Sequence, residues 1–236
     1  METLERLDPL LIDAADAFNQ ETLRLHLERY RFAAKYAPGK VVVDCACGTS
    51  YGSELVAAEG GAARVYGCDL SEEAVAFGRA RHAHPAVTLF VGDALQWTPP
   101  EAPDLWITLE TVEHLPDPEA YLRRIRTLLK PGGTLIASVP TTVSTDGNPY
   151  HLVDFTERSF RRMLARTGFT PFDALPQAQR FKLSQVVGRK AAPRMTGEVR
   201  RNLLGYYLRH PATAFARAWL TLTRGFVNEY LTVAAK

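Results

Sequence analysis

Residues 110–114 read Glu-Thr-Val-Glu-His and follow directly on the apolar run "DLWITLE". At i, i+3 and i+4, Glu110, Glu113 and His114 can converge within one turn. They would offer two carboxylates and an imidazole to a divalent cation such as Mg, Mn or Zn. His151, in "GNPYHLVDFT", follows the next apolar run and emerges on the same edge of the fold. Without an ion, His151 or His114 is the candidate general base, because a free imidazole titrates near neutral pH. Glu110 completes the candidate catalytic set. The plainer alternative is that Glu113 and His114 serve helix capping and packing. His26, His82, His84 and His210 are assigned to packing or to the surface.

A second cluster lies upstream in "VVVDCACGTSYGS", residues 41–53. A dinucleotide loop needs G-x-G-x-x-G to seat a pyrophosphate on a helix N-terminus. Here the next glycine after Gly48 is Gly52, and no Lys-Ser/Thr pair follows as a P-loop would require. The loop therefore suits a cofactor that brings no phosphate. Asp69 ends the run "VYGCDL", where a carboxylate can accept both hydroxyls of a ribose. Asp93 ends "LFVGDA", where it can accept the exocyclic amine of adenine.

These residues need a frame that brings strand ends to one edge, and the pattern supplies it. Residues 3–37 read as helical up to Pro38-Gly39. "KVVVDCA", "ARVYGCDL", "VTLFVGDA", "DLWITLE" and "GTLIASVP" read as buried strands, alternating with helices. Ser71 and Thr156 stand at N-cap positions. "FTPFDALPQ" is a sixth strand and "NEYLTVAAK" a last one. The expectation is an α/β, Rossmann-like doubly wound sheet of seven strands, mostly parallel with an antiparallel last strand. In one domain, residues 1–37 form a helical cover, 38–179 the cofactor-binding core, 180–225 a basic helical insertion and 226–236 the final strand.

The net charge of +2 conceals an uneven distribution: residues 180–236 hold 11 Lys/Arg against Glu198 and Glu229. Such a segment suits an anionic partner, or else a solvated helical face. Phe215, Trp219, Leu222 and Phe226 form a stripe flanked by Arg209, Arg217 and Arg224. This pattern suits core packing, a dimer contact or an interfacial helix, and residues 200–225 are a candidate peripheral membrane contact. Cys45, Cys47 and Cys68 lack paired knuckles and read as buried, reduced thiols. No basic-then-apolar leader is evident, so a cytoplasmic location is expected, with peripheral membrane association as an extension.

Taken together, "VVVDCACGTSYG", "VYGCDLS", "LFVGDA", "DLWITLETVEHLPDP" and "LLKPGGTLIASVP" resemble the class I S-adenosylmethionine-dependent methyltransferases over residues 25–175 and again at the last strand. The resemblance implies that Asp44, Ala46 and Gly48 hold the methionine part of S-adenosyl-L-methionine. It places Asp69 and Leu70 at the ribose, Asp93 and Ala94 near adenine, and Leu109 and Glu110 beside the sulfonium. Tyr30, in "HLERYRFA", is a candidate contact from the covering helix. Ala46 and Ser50 stand where the family's D-x-G-x-G-x-G has glycine. Glu110, Glu113, His114 and His151 resemble the metal site of polyprenyl-quinone and small-RNA O-methyltransferases. The overall text is similar to enzymes that methylate sugars of polysaccharides or glycosylated metabolites. The expected acceptor is a hydroxyl of a small-molecule or lipid-linked glycan. A quinol or RNA 2′-hydroxyl is the alternative, with nucleic acid disfavoured by the near-neutral charge, and a catalytically silent cofactor-binding regulator is a third. An oligomer is compatible with all three.

Overall fold

The computed structural model describes residues 8–12, 16–181 and 202–236. Seven strands form one sheet in the order β3-β2-β1-β4-β5-β7-β6. They are β1 Val41–Cys45, β2 Arg64–Asp69, β3 Val87–Val91, β4 Leu105–Leu109, β5 Thr134–Pro140, β6 Pro171–Phe181 and β7 Phe226–Ala235. β7 runs antiparallel to both its neighbours, and the pairs among β1 to β5 are parallel. The expected sheet and its reversed last strand are thus observed.

Period-two alternation divides the strands between two layers of helices. Val42, Leu105, Ile107 and Ile136 pack with residues of α1 (Ala17–Ala34) and α2 (Tyr51–Ala58). Val43, Trp106, Leu135 and Ala137 face the other way, against α4 (Pro118–Leu128) and α5 (Glu157–Arg166). α3 spans Glu72–Arg81. Its N-cap Ser71, together with Asp117 of α4 and Thr156 of α5, each accepts a backbone N–H of its helix.

Two boundaries differ from the sequence expectation. The N-terminal helix begins only at Ala17, where the Asp16 carboxylate accepts the Asn19 N–H at 3.0 Å. Upstream, Pro9 lies in a turn that Asp8 closes by accepting the Leu10 N–H at 2.8 Å. The buried His82 ring holds that turn, with Nε2 3.0 Å from Asp8 and Nδ1 2.8 Å from Glu54. The rest of 1–15 assigned to that helix lies outside the described residues. At the other end, β6 continues through Phe181, into the segment read as insertion, because it pairs along its whole length with β7. Among the described residues of its remainder, 202–225, lie the helices α6 (Leu203–Arg209) and α7 (Pro211–Arg224), separated at Pro211 as the sequence suggests. Residues 182–201 lie outside the described residues.

The three cysteines are buried and free, and burial raises each thiol, Cys45 and Cys68 to about 12. They are structural groups, as expected.

Candidate active site

The first strand-to-helix loop shows how a glycine-poor sequence keeps a glycine-type turn. Ala46, Gly48 and Ser50 all adopt the left-handed region, at φ 61°, 58° and 66°. The alternation that the resemblance assigns to three glycines is therefore present in the backbone, although two positions carry side chains. A side chain held there costs about 1 kcal/mol or more. Ser50 adds a second cost, since its hydroxyl is buried without a hydrogen-bond partner among the described residues. The Ser50→Gly variant is accordingly expected to be more stable by about 1 kcal/mol. That would appear as a rise of roughly 2–4 °C in thermal midpoint. An unchanged or lower midpoint would show that the Ser50 side chain contributes packing worth more than the strain.

Gly52 serves a different purpose. The Tyr30 ring occupies the place a Cβ at residue 52 would take, so only glycine lets α1 close over the loop. Tyr30 then points its hydroxyl toward Asp44 Oδ1 at 3.5 Å, and Ser53 Oγ donates to Oδ2 at 2.6 Å. Burial pushes the Asp44 carboxyl up to about 7. The Ser53 and Tyr30 hydrogen bonds oppose that rise, and the neighbouring Asp69 charge adds to it.

Asp69 is buried at the end of β2 and binds the loop to it. Its Oδ2 accepts the Gly48 N–H at 2.8 Å and its Oδ1 the Ser71 N–H at 2.9 Å. Leu70 beside it is 68% exposed. Asp93 sits past the end of β3, accepting the Leu95 N–H at 2.9 Å, while Ala94 packs against the core. A Cβ at Gly48 would meet nothing within 4 Å, so the loop faces open space.

β4 ends at Leu109, and Glu110 follows at φ 49°, a strained conformation for a non-glycine residue. The strain is held by Ser138 on β5, whose Oγ donates to Glu110 Oε1 at 2.7 Å and accepts the Glu110 N–H at 3.0 Å. On its other side Glu110 meets Arg29 of α1, Nη1 to Oε1 at 3.4 Å. Arg29 is 1% exposed. Its Nε donates to Gln177 Oε1 at 2.8 Å, and its guanidinium lies 4.3 Å from the centroid of the Tyr230 ring. Nη1 makes no hydrogen bond among the described residues. Arg29 was missed at the sequence level, yet a signal exists. It lies four residues from both Leu25 and Ala33, inside the buried stripe of α1.

Glu110 therefore does not join the metal-type cluster, and the four-residue set expected from the sequence is reduced to three. Glu113, His114 and His151 each present a ligand-type atom, and these atoms all lie within 4.8 Å of one another. A short 3₁₀ turn, Val112–His114, turns Glu113 and His114 away from Glu110. Two loops are joined there. The Glu113 carbonyl accepts the Leu152 and Val153 N–H groups at 2.8 and 3.3 Å, and His114 Nδ1 lies 3.2 Å from the Tyr150 carbonyl. As donor to that carbonyl, Nδ1 leaves Nε2 as the basic nitrogen of His114. The His114 and His151 rings meet edge to face at 4.6 Å. Glu113 is fully buried and His151 nearly so.

Comparison with known proteins agrees with this geometry. A family model described as a methyltransferase domain matches residues 42–133, the span from β1 to the turn before β5. A Mycolicibacterium smegmatis protein described as a probable S-adenosylmethionine-dependent methyltransferase is 28% identical over 185 residues, covering 75% of this chain and 70% of the relative. A trans-aconitate 2-methyltransferase of Methylobacterium radiotolerans is 34% identical, over 44% of this chain and 40% of the relative. A ubiquinone biosynthesis O-methyltransferase of Stutzerimonas stutzeri is also 34% identical, over 42% of this chain and 44% of the relative. The chain thus spans less than half of these last two. The crystal structure of a Geobacter sulfurreducens S-adenosylmethionine-dependent methyltransferase, in complex with S-adenosyl-L-homocysteine, superposes with a TM-score of 0.59 at 17% identity. It covers 89% of this chain and 90% of that one, a likeness of fold. With the left-handed loop, the strand-end acids and the reversed β7 in place, the fold is that of the methyltransferases it superposes on, residues 42–133 match a methyltransferase domain, and three quarters of the chain is similar to a probable S-adenosylmethionine-dependent methyltransferase.

Proposed function

We propose that the chain transfers a methyl group from S-adenosyl-L-methionine to a hydroxyl of a small molecule. The observation that carries this reading is the Glu113, His114 and His151 cluster at the edge where the strands deliver Asp44, Asp69 and Glu110. The cofactor's methyl is already activated on a cationic sulfur, so the protein must chiefly align an acceptor and exclude water. A hydroxyl, unlike an amine or a thiolate, also needs a base or an ion to make it nucleophilic. The cluster suits either device, and its two imidazoles and buried carboxylate form a donor set suited to a divalent cation.

The cofactor's own groups find counterparts in the cleft. Its ammonium matches the buried Asp44, its ribose hydroxyls match Asp69, and its carboxylate matches the Arg29 guanidinium. The Asp44 match makes affinity depend on pH, because the ammonium favours the ionised carboxylate. Cofactor affinity is expected to fall roughly tenfold per pH unit below about 7. Titration calorimetry with S-adenosylhomocysteine from pH 5.5 to 8.5 reads this directly, and Asp44→Asn should flatten the profile. A flat profile in the unsubstituted protein would separate Asp44 from the ammonium. The ligand-free fold responds in its own way. An unfolded aspartate ionises near 4, so raising the pH from about 4 to 7 lowers the Asp44 contribution to stability.

For the acceptor, we propose a hydroxyl of a sugar or glycoconjugate, on the resemblance of the loop and site text to such enzymes. The alignment with the ubiquinone O-methyltransferase favours a quinol as second reading. Labelled-methyl transfer to lipid-linked sugars, quinols, a tricarboxylate and short RNA, each with and without chelator, separates these. Transfer to a sugar hydroxyl is the expected result. Transfer confined to the carboxylate would overturn the hydroxyl assignment. Bound cofactor with no transfer at all would favour a regulator. Loss of transfer with chelator, regained with added ion, would support the cation.

A further inference from the structure

The α6–α7 helix pair carries apolar surface that nothing in the described residues covers. Phe215, Trp219 and Leu222 are 71%, 62% and 85% exposed, and Leu204 and Leu208 of α6 are 73% and 76% exposed. On α7 the three fall at i, i+4 and i+7, one stripe, with the Phe215 and Trp219 rings stacked at 6.5 Å. The contacts of the helix show which side is already used. Arg217, two positions from Phe215, donates to both Asp146 oxygens at 2.7 Å, and Asp146 is 2% exposed in its side chain. Tyr207 donates to the same carboxylate at 2.6 Å, and Tyr206 lies 3.1 Å from the Thr145 hydroxyl. The pair is thus anchored by its polar side to the loop that continues to His151. Its apolar side is turned outward by an ion pair whose carboxylate is buried. Isolated exposed apolar residues are ordinary, but three large apolar side chains exposed along one stripe of a helix are not.

We infer that this face docks on the surface of an anionic lipid bilayer. Charge distinguishes the bilayer from a second copy of the chain. Residues 182–225 hold nine Lys/Arg and a single acid, Glu198, and α6 and α7 hold none. A two-fold contact through this face would oppose two helix pairs that carry arginines and no acid, whereas anionic headgroups complement them. Arg217 is engaged by Asp146 and Arg224 by Glu229, so on the two helices the charge offered outward comes from Arg209. Aromatic and leucine side chains on one side, with no acid on the helices, match an interfacial helix lying in the membrane plane. No helix among the described residues is long and apolar enough to cross a membrane, so docking is peripheral. It would set the loop bearing His151 close to the lipid surface.

The test uses the full chain with large unilamellar vesicles. One preparation is phosphatidylcholine alone and the other contains about 30% phosphatidylglycerol, both read by co-sedimentation and by Trp219 emission. Expected is binding to the anionic vesicles, with a blue shift of emission that Trp219→Phe removes. The triple variant Phe215→Ser, Trp219→Ser, Leu222→Ser should weaken binding at least tenfold. Because all three side chains are exposed, its thermal midpoint should stay unchanged. Arg209→Glu should weaken binding and reduce its salt dependence without touching the apolar stripe. No binding to anionic vesicles at low salt would overturn the proposal, as would binding that the triple variant leaves intact. A concentration-dependent dimer that the triple variant dissociates, without vesicle binding, would assign the face to a second copy and overturn it equally.

Discussion

Asp69→Ala is expected to abolish measurable cofactor binding. The carboxylate accepts the Gly48 N–H through one oxygen and the Ser71 N–H through the other, so it fixes the left-handed loop and the α3 cap together. The same oxygens are the ones proposed to accept the two hydroxyls of a ribose. Hydrogen bonds to a charged group contribute about 1.5–3 kcal/mol each. Losing two should weaken binding by roughly a hundredfold to twenty-thousandfold. Asp69→Asn keeps the shape and loses the charge and one acceptor, so it should retain the fold and still lose most of the affinity. Calorimetric titration of S-adenosylhomocysteine measures both, and a thermal melt separates loop damage from ribose loss. Tight binding by both variants would remove Asp69 from the cofactor site.

The second large effect concerns turnover. His151→Ala should lower methyl transfer by about 10²- to 10⁴-fold while leaving cofactor affinity near its original value. The imidazole stands against His114 at 4.6 Å and within the Glu113 cluster, and it is not among the loop residues proposed to hold the cofactor. Single-turnover rates with saturating cofactor isolate the chemical step from binding. Because His151 is buried, His151→Gln provides a control that fills the space without supplying a base. If both variants turn over at the original rate, the base or ion lies elsewhere.

How much of this was legible beforehand depended on the kind of signal. Strands announce themselves when buried on both faces, as with Val41 to Val43, and the order of motifs located Asp44, Asp69 and Asp93 at one edge. Periodicity did not place the start of α1, because Asp16 is a local cap and its role appears only once Asn19 turns to it. The conformation of Ser50 was equally hidden, since serine rarely takes a positive φ and only the surrounding backbone imposes one. Spacing grouped Glu110 with Glu113 and His114 on the assumption of a regular helix. The strained Glu110 backbone and the 3₁₀ turn break that helix and send its carboxylate to Ser138 and Arg29 instead. Partners 148 residues apart, such as Arg29 and Gln177, belong to tertiary structure and leave no local trace.

The reversed β7 also constrains the order in which the chain can assemble. β6 touches the sheet only through β7, which follows it in the chain and fills the gap beside β5. The parallel half, β1 to β5, can close on its own crossovers, while β6 must wait with its edge unpaired until β7 arrives. Such long-range pairing is slow and leaves strand edges open to wrong partners in the interval. Refolding is therefore expected to show an early phase for the cofactor half and a later one for β6 and β7. Gln177, which Arg29 holds at the site, would come into place only in that last step.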